Sequence, residues 1–286
     1  MIGAVRSPRP PSPVRDVRLR VHGLDIVVRS DVPLVIDTVA TSYAAFQVTD
    51  QTGGPATCVI ETWSTTASDE SAAVLGTLDR VVMQVLDGLG ERGIVGTHAA
   101  AVAIDDRTVV LAGRSGAGKS TLTLALLRDG ARLLTDELTL VDRDDRTILP
   151  YPRALHVSPW TVDLLPELAF LRDRPRQALG ADLEWAVSTA DLAQAFGATV
   201  AAPTRLGAVV ILDERGDVAD EPRIERLTGA QAALELARGT PAAARDFAGT
   251  IARLASIAGS VPTLRVRATE LERTVRALLD HLAVIV

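Results

Sequence analysis

The sequence predicts an α/β fold for residues 92–286, preceded by a small α+β lobe over 17–91 and a disordered arm over 1–16. Three observations predict it. Thr108–Gly113 reads as a short buried strand that runs into a glycine-rich turn and then a helix closed by Gly130. Apolar residues at 74, 75, 78, 81, 82, 85, 86 and 89 lie on one face of a long amphipathic helix, which separates the two halves. Ahead of it, Val17–Asp31 alternates apolar and polar residues around His22-Gly23, the pattern of a hairpin.

The remaining elements follow in chain order. The arm, MIGAVRSPRPPSPVRD, has charge and proline but no apolar segment of the kind a signal peptide needs. Residues 32–46 have helical spacing, and 55–63 read as a strand. THAAAVAI and TVVLAG form two strands around a turn at DDR. After the helix over Lys119 to about Arg128, LLTDELTLVD reads as one strand that carries Asp136 and Glu137 and turns at Asp144-Asp145 into another. No internal repeat is present.

The turn after the Thr108–Gly113 strand is G-R-S-G-A-G-K-S, a match to the phosphate-binding pattern G-x-x-x-x-G-K-[ST]. In such a loop successive backbone N–H groups wrap a phosphate, and glycine permits the positive φ this requires. The expected phosphate contacts are Gly113, Arg114, Ser115, Gly116, Ala117, Gly118, Lys119, Ser120 and Thr121. Lys119 is the only lysine in a chain with 30 basic Lys and Arg residues. An ammonium on a thin stem reaches between two phosphates where a planar guanidinium fits poorly. Ser120 offers a hydroxyl to Mg²⁺. The helix that begins at Lys119 turns its N-terminal dipole toward the same place.

Asp136 and Glu137 lie one helix beyond the loop. An acidic pair at a strand end there can do two jobs. One carboxylate can hold Mg²⁺ directly or through water, and the other can accept a proton from an attacking hydroxyl. The bland alternative is a solvated pair at a turn.

The segment Gly96 to Asp142 resembles the catalytic core of HPr kinase/phosphorylase and its relatives among the kinases of lasso-peptide and other natural-product clusters. More remotely it resembles the phosphoenolpyruvate carboxykinase core. Three features carry the likeness in order: His98 ahead of the strand pair, the glycine loop, and L-L-T-D-E over 133–137. A looser match continues to the C-terminus. The resemblance implies ATP and Mg²⁺ as cofactors, Asp136 as general base and Glu137 as a second acidic residue near the metal. It implies a role for His98 in the site, where a core histidine is the alternative. Glu137 stands where aspartate is commoner. The segment that contacts HPr and the usual N-terminal domain have no counterpart, so the implied acceptor is not HPr. Ser or Thr of another peptide or protein comes first, and a small-molecule hydroxyl second. Arg153 and Arg205 are candidates for a second phosphate clamp, with surface ion pairs as the alternative.

Other classes fare worse. A motor ATPase would use Gly207–Glu214 as its second acidic strand, ending in Asp213-Glu214, but the faint signature LTGAQ (227–231) follows that strand where it should precede it. The chain has no asparagine, which removes the guanine-selecting N-K-x-D. A nucleotide sensor would keep the loop without needing Asp136. Net charge −6 and the lack of a dense basic run argue against nucleic acid. No stretch approaches the ~18 apolar residues of a membrane span. Cys58 is alone and no internal disulfide can form, which fits the cytoplasm.

Overall fold

The structure is a computed structural model and describes residues 13–48, 56–64, 69–179, 182–213, 216–217, 220–244 and 246–285. The chain divides into two units, Met1–Val85 and Leu86–Val286. Most of the arm lies outside the described residues, but Arg15 and Asp16 belong to the first strand.

In the first unit, β1 (Arg15–Val21) and β2 (Leu24–Ser30) pair antiparallel through a turn with positive φ at both His22 and Gly23. A two-residue turn of that hand matches the twist of the strands it joins. Val17, Leu19 and Val21 are buried while their neighbours face out, so the alternation sets the register. Helix α1 (Pro33–Ser42) packs on both strands and starts with proline in its first turn, where no N–H is needed. β3 (Cys58–Thr62) adds parallel to β2. Helix α2 (Glu70–Gly90) follows, and the division between units falls within it.

The second unit is built on a nine-stranded mixed sheet. Its members are β4 (Ile94–His98), β5 (Ala100–Ile104), β6 (Arg107–Gly113), β7 (Arg132–Thr135), β8 (Leu138–Asp142), β9 (Thr147–Leu149), β13 (Thr204–Leu212), β14 (Arg223–Arg226) and β15 (Thr263–Arg267). At its centre β6, β13 and β15 run parallel, with β13 in the middle. Leu212 at the end of β13 lies opposite Gly113 at the end of β6. β5 pairs antiparallel with β6 and β7, and β8 with β4 and β9.

Both faces of the sheet are covered, which is why β6 is apolar without alternation. On one face Val109 and Leu111 pack with α3 (Lys119–Arg128), α4 (Pro159–Leu164), α5 (Thr189–Phe196) and α8 (Leu271–Ile285). A small sheet of β10 (Leu155–Val157), β11 (Gln177–Leu179) and β12 (Asp182–Val187) joins that layer. On the other face Val110 and Ala112 pack with α6 (Gly229–Arg238) and α7 (Phe247–Ala258).

Two strand expectations need correction. Residues 133–142 do not form one strand, because the ladder breaks at Asp136-Glu137 and its halves take different partners. Thr135 supplies the cause: its Oγ1 accepts from the N–H of Glu137 (3.3 Å) and of Leu138 (3.2 Å), so a side chain takes donors that a strand would spend on its neighbour. Likewise THAAAVAI divides at Ala99 into β4, which pairs with β8, and β5, which pairs with β6. The expected turn at Asp144-Asp145 is present, closed by Asp142 Oδ1 accepting from the N–H of both residues.

Candidate phosphate and phosphoryl-transfer site

The glycine loop lies at the C-terminal edge of the parallel strands, between β6 and the first turn of α3. Two glycines explain its shape. A Cβ on Gly113 would stand 2.8 Å from the Leu212 carbonyl oxygen, so the close approach of β13 leaves no room for a side chain. Gly118 caps α3 in the left-handed region, φ 93°, which a side chain would strain. The buried Lys119 Nζ donates to the carbonyls of Gly113 (3.0 Å) and Arg114 (3.2 Å), which holds the ammonium inside the loop's curve. Burial pulls its pKa below the usual lysine value, and the carboxylates of Asp136 and Glu137 oppose that shift.

Ser120 and Asp136 meet directly. The Ser120 hydroxyl donates to Asp136 Oδ2 at 2.8 Å. The other carboxyl oxygen, Oδ1, is buried and has no hydrogen-bond partner among the described residues. Burial pushes the Asp136 pKa up to about 6, the Ser120 bond works against it, and the neighbouring Glu137 charge adds to it. An acceptor oxygen buried without a donor is costly, and such groups concentrate where a ligand or proton completes them.

Glu137 sits differently. Its Oε2 is 2.6 Å from Nη2 of Arg153, whose side chain is only 8% exposed. Arg153 lies on an irregular stretch tied to the sheet by the Tyr151 N–H, which donates to the Leu134 carbonyl at 2.7 Å. Arg153 therefore joins the acidic pair. Arg205 does not: its guanidinium donates to the Asp145 carbonyl at the far edge of the sheet. It lies seven residues before Leu212 on β13, about 23 Å away at the rise of a strand. The expectation of a clamp at Arg205 is thus corrected by strand register.

His98 ends β4 and faces a cavity of about 750 Å³ bordered by the loop, Asp213, Glu235, Arg238 and Arg265. Its backbone N–H donates to the Gly239 carbonyl at 2.6 Å, which fixes it beside the end of α6. Partial burial lowers its pKa, the Lys119 charge adds to that effect, and Glu137 opposes it. Glu235 pairs with Arg238 and, at 3.5 Å, with Arg265. These three residues come from α6 and β15, and no local pattern in the sequence marks them. Asp213 lines the same cavity, on the opposite flank of the loop from Asp136; Glu214 lies outside the described residues. Arg114 and Ser115 are exposed on the loop, while the buried Thr121 hydroxyl pairs with Thr161 Oγ1 at 2.9 Å and so is taken up by packing. His156 is near Arg153, and burial followed by that charge drives its imidazole down to about 3. Among the described residues no cluster of three or more His, Cys, Asp or Glu side chains forms a self-contained metal site.

Among the described residues no helix is long and apolar enough to cross a membrane. No protein-family model and no curated protein matches the chain. Among solved structures, the chain is similar to the HPr(Ser) kinase/phosphatase from Coxiella burnetii, at 15% identity and a TM-score of 0.33, over 66% of this chain and 97% of that one. A likeness at that score carries no weight, and the mixed α/β fold rests on the strand order described above.

Proposed function

We propose that the chain is a phosphotransferase that moves the γ-phosphoryl group of Mg²⁺-ATP to a hydroxyl. Ser or Thr of a peptide or protein is the first choice of acceptor and a small-molecule hydroxyl the second. The observation that carries this reading is the Ser120–Asp136 bond, with its second carboxyl oxygen buried and unpartnered.

The loop N–H groups and Lys119 would hold the phosphates, and the α3 dipole would favour their charge. The Ser120 oxygen suits Mg²⁺, a hard cation that takes few protein ligands and shares the rest with phosphates. Held there, the ion would supply neutralisation of phosphate charge. Asp136 Oδ1 would accept the proton of the attacking hydroxyl. A base held near 6 is ionised at neutral pH and still basic enough to take a proton. Glu137, engaged by Arg153, would keep that guanidinium beside the reacting phosphoryl group. The acceptor would approach from the His98 side, where the larger cavity opens.

A second reading gives the base or water-positioning role to Asp213, which also flanks the loop, and makes the chain a hydrolase. Asp136→Asn should leave ATP binding within a few-fold of wild type and lower phosphoryl transfer by roughly 10²–10⁴. Asp213→Asn should be the milder of the two. Titration of ATP binding and a transfer assay on both variants test this, and the opposite ranking supports the hydrolase.

A further inference from the structure

A second cavity, of about 270 Å³, opens on the flank of the loop away from Asp136. It touches Gly116, Ala117 and Gly118, so it is continuous with the phosphate loop. Its other walls come from Leu122, Trp160, Leu212 and the segment that joins β15 to α8, with Leu271 and Thr274. Trp160 is 46% exposed, an unusual amount for a tryptophan. It is held there because its helix, α4, is capped by Ser158 and pinned to α3 by the Thr161–Thr121 hydroxyl bond at 2.9 Å.

We infer that this cavity takes the nucleobase of the donor nucleotide, stacked on Trp160, and that it tells one purine from another poorly. The inference rests on the phosphate-loop reading. In the strand order β15-β13-β6-β5-β7 the loop leaves β6, Asp136 follows β7, and the cavity lies beyond the ends of β13 and β15. Two strand spacings, about 10 Å, separate β6 from β15. A nucleotide whose terminal phosphate faces Asp136 therefore runs across the loop and brings its base to the apolar cavity. Stacking on an aromatic side chain is tolerant of base identity, because every base has a π face. A side chain that reads a base edge must offer free donors or acceptors, and among the described residues no carboxylate or amide side chain borders the cavity. Its polar side-chain groups are the Trp160 indole N–H and threonine hydroxyls, and two of the hydroxyls are engaged within the protein. Thr121 is paired with Thr161, while the Thr274 hydroxyl donates to the Glu270 carbonyl and accepts from the Thr269 N–H.

Calorimetric titration of the full chain with ATP, GTP and inorganic tripolyphosphate tests this, on wild type and the Trp160→Ala, Trp160→Phe and Lys119→Ala variants. Trp160→Ala should weaken ATP and GTP alike by roughly ten-fold or more, leave tripolyphosphate within two-fold, and be largely rescued by Trp160→Phe. Wild type should bind ATP and GTP within about ten-fold of each other. Equal loss of tripolyphosphate and nucleotide in Trp160→Ala, or no loss of either, overturns the base site. A wild-type preference beyond ten-fold overturns its indifference to the base. Tripolyphosphate binding that survives Lys119→Ala overturns the phosphate loop instead, so the two failures are distinct.

Discussion

Asp136 and Asp213 invite comparison, because each follows the end of a strand beside the same loop. Asp136 follows β7 at the point where Thr135 breaks the ladder, and its carboxyl is buried against Ser120. Asp213 follows β13 without a break, is exposed, and lines the larger cavity. Sequence position alone makes them equals, since both read as an acidic pair closing an apolar run. The difference teaches that the chemistry of a carboxylate depends on what its oxygens meet. One is poised by burial and a single donor, and the other lies exposed at the wall of the larger cavity.

The sharpest test of that contrast is the paired substitution, Asp136→Asn against Asp213→Asn, with the loss of transfer confined to the first. Next in size is Lys119→Arg. The fork cannot occupy the space in which Nζ meets the Gly113 and Arg114 carbonyls, so ATP binding should fall by roughly 10–100-fold, the worth of a charged hydrogen bond. Wild-type binding in that variant would sink the point-charge reading of Lys119.

Stability separates the aspartates in the opposite sense. The folded protein holds Asp136 near 6 against an ordinary value of 3.8, so above pH 6 it carries a buried charge that the unfolded chain would carry freely. The native state therefore binds more protons between about 4 and 6, and stability from this group is lost as pH rises through that window. Asp136→Asn keeps an acceptor for Ser120 and removes the charge. In metal-free buffer it should gain on the order of 1–3 kcal/mol at pH 8, and the gain should vanish below about pH 4. Thermal unfolding across pH measures this, and a gain that persists at pH 4 would contradict it.

Glu137→Gln leaves the buried Arg153 guanidinium without its anion and should cost about 1–2 kcal/mol, less than a fully buried pair because Glu137 is partly exposed. Denaturant unfolding reads that loss, which should exceed that of Asp213→Asn. Smallest of all, Arg205→Ala should stay within about 0.5 kcal/mol and leave transfer unchanged. A transfer defect there would overturn its placement at the far edge.

Much of the fold was legible because its signals are local. The His22-Gly23 hairpin, the α2 stripe, the glycine loop and the start of α3 each declare themselves within a few residues. The division of 133–142 into two strands was hidden because it turns on one hydroxyl outbidding a neighbouring strand for donors. In the candidate site the loop and the Asp136-Glu137 pair could be read, whereas the partner of each acid could not. Arg153 reaches Glu137 across sixteen residues by way of an irregular stretch. Trp160, Leu271 and Thr274 share a cavity with the loop only because β13 and β15 deliver distant segments to one edge. Arg205 looked equivalent to Arg153 until register put them at opposite ends of the sheet.

The position of β13 has a consequence for how the molecule forms. β5, β6 and β7 are neighbours in sequence and can pair as soon as they are made. The central strand comes almost a hundred residues later than β6, yet its Leu212 carbonyl is what confines Gly113. During synthesis the phosphate loop therefore leaves the ribosome long before the strand that shapes it. High sequence separation of this kind slows folding and leaves strand edges unpaired meanwhile. The nascent chain should acquire its affinity for phosphate late and in one step, when β13 inserts, and a chain that stops short of residue 204 should carry the whole motif and none of its grip.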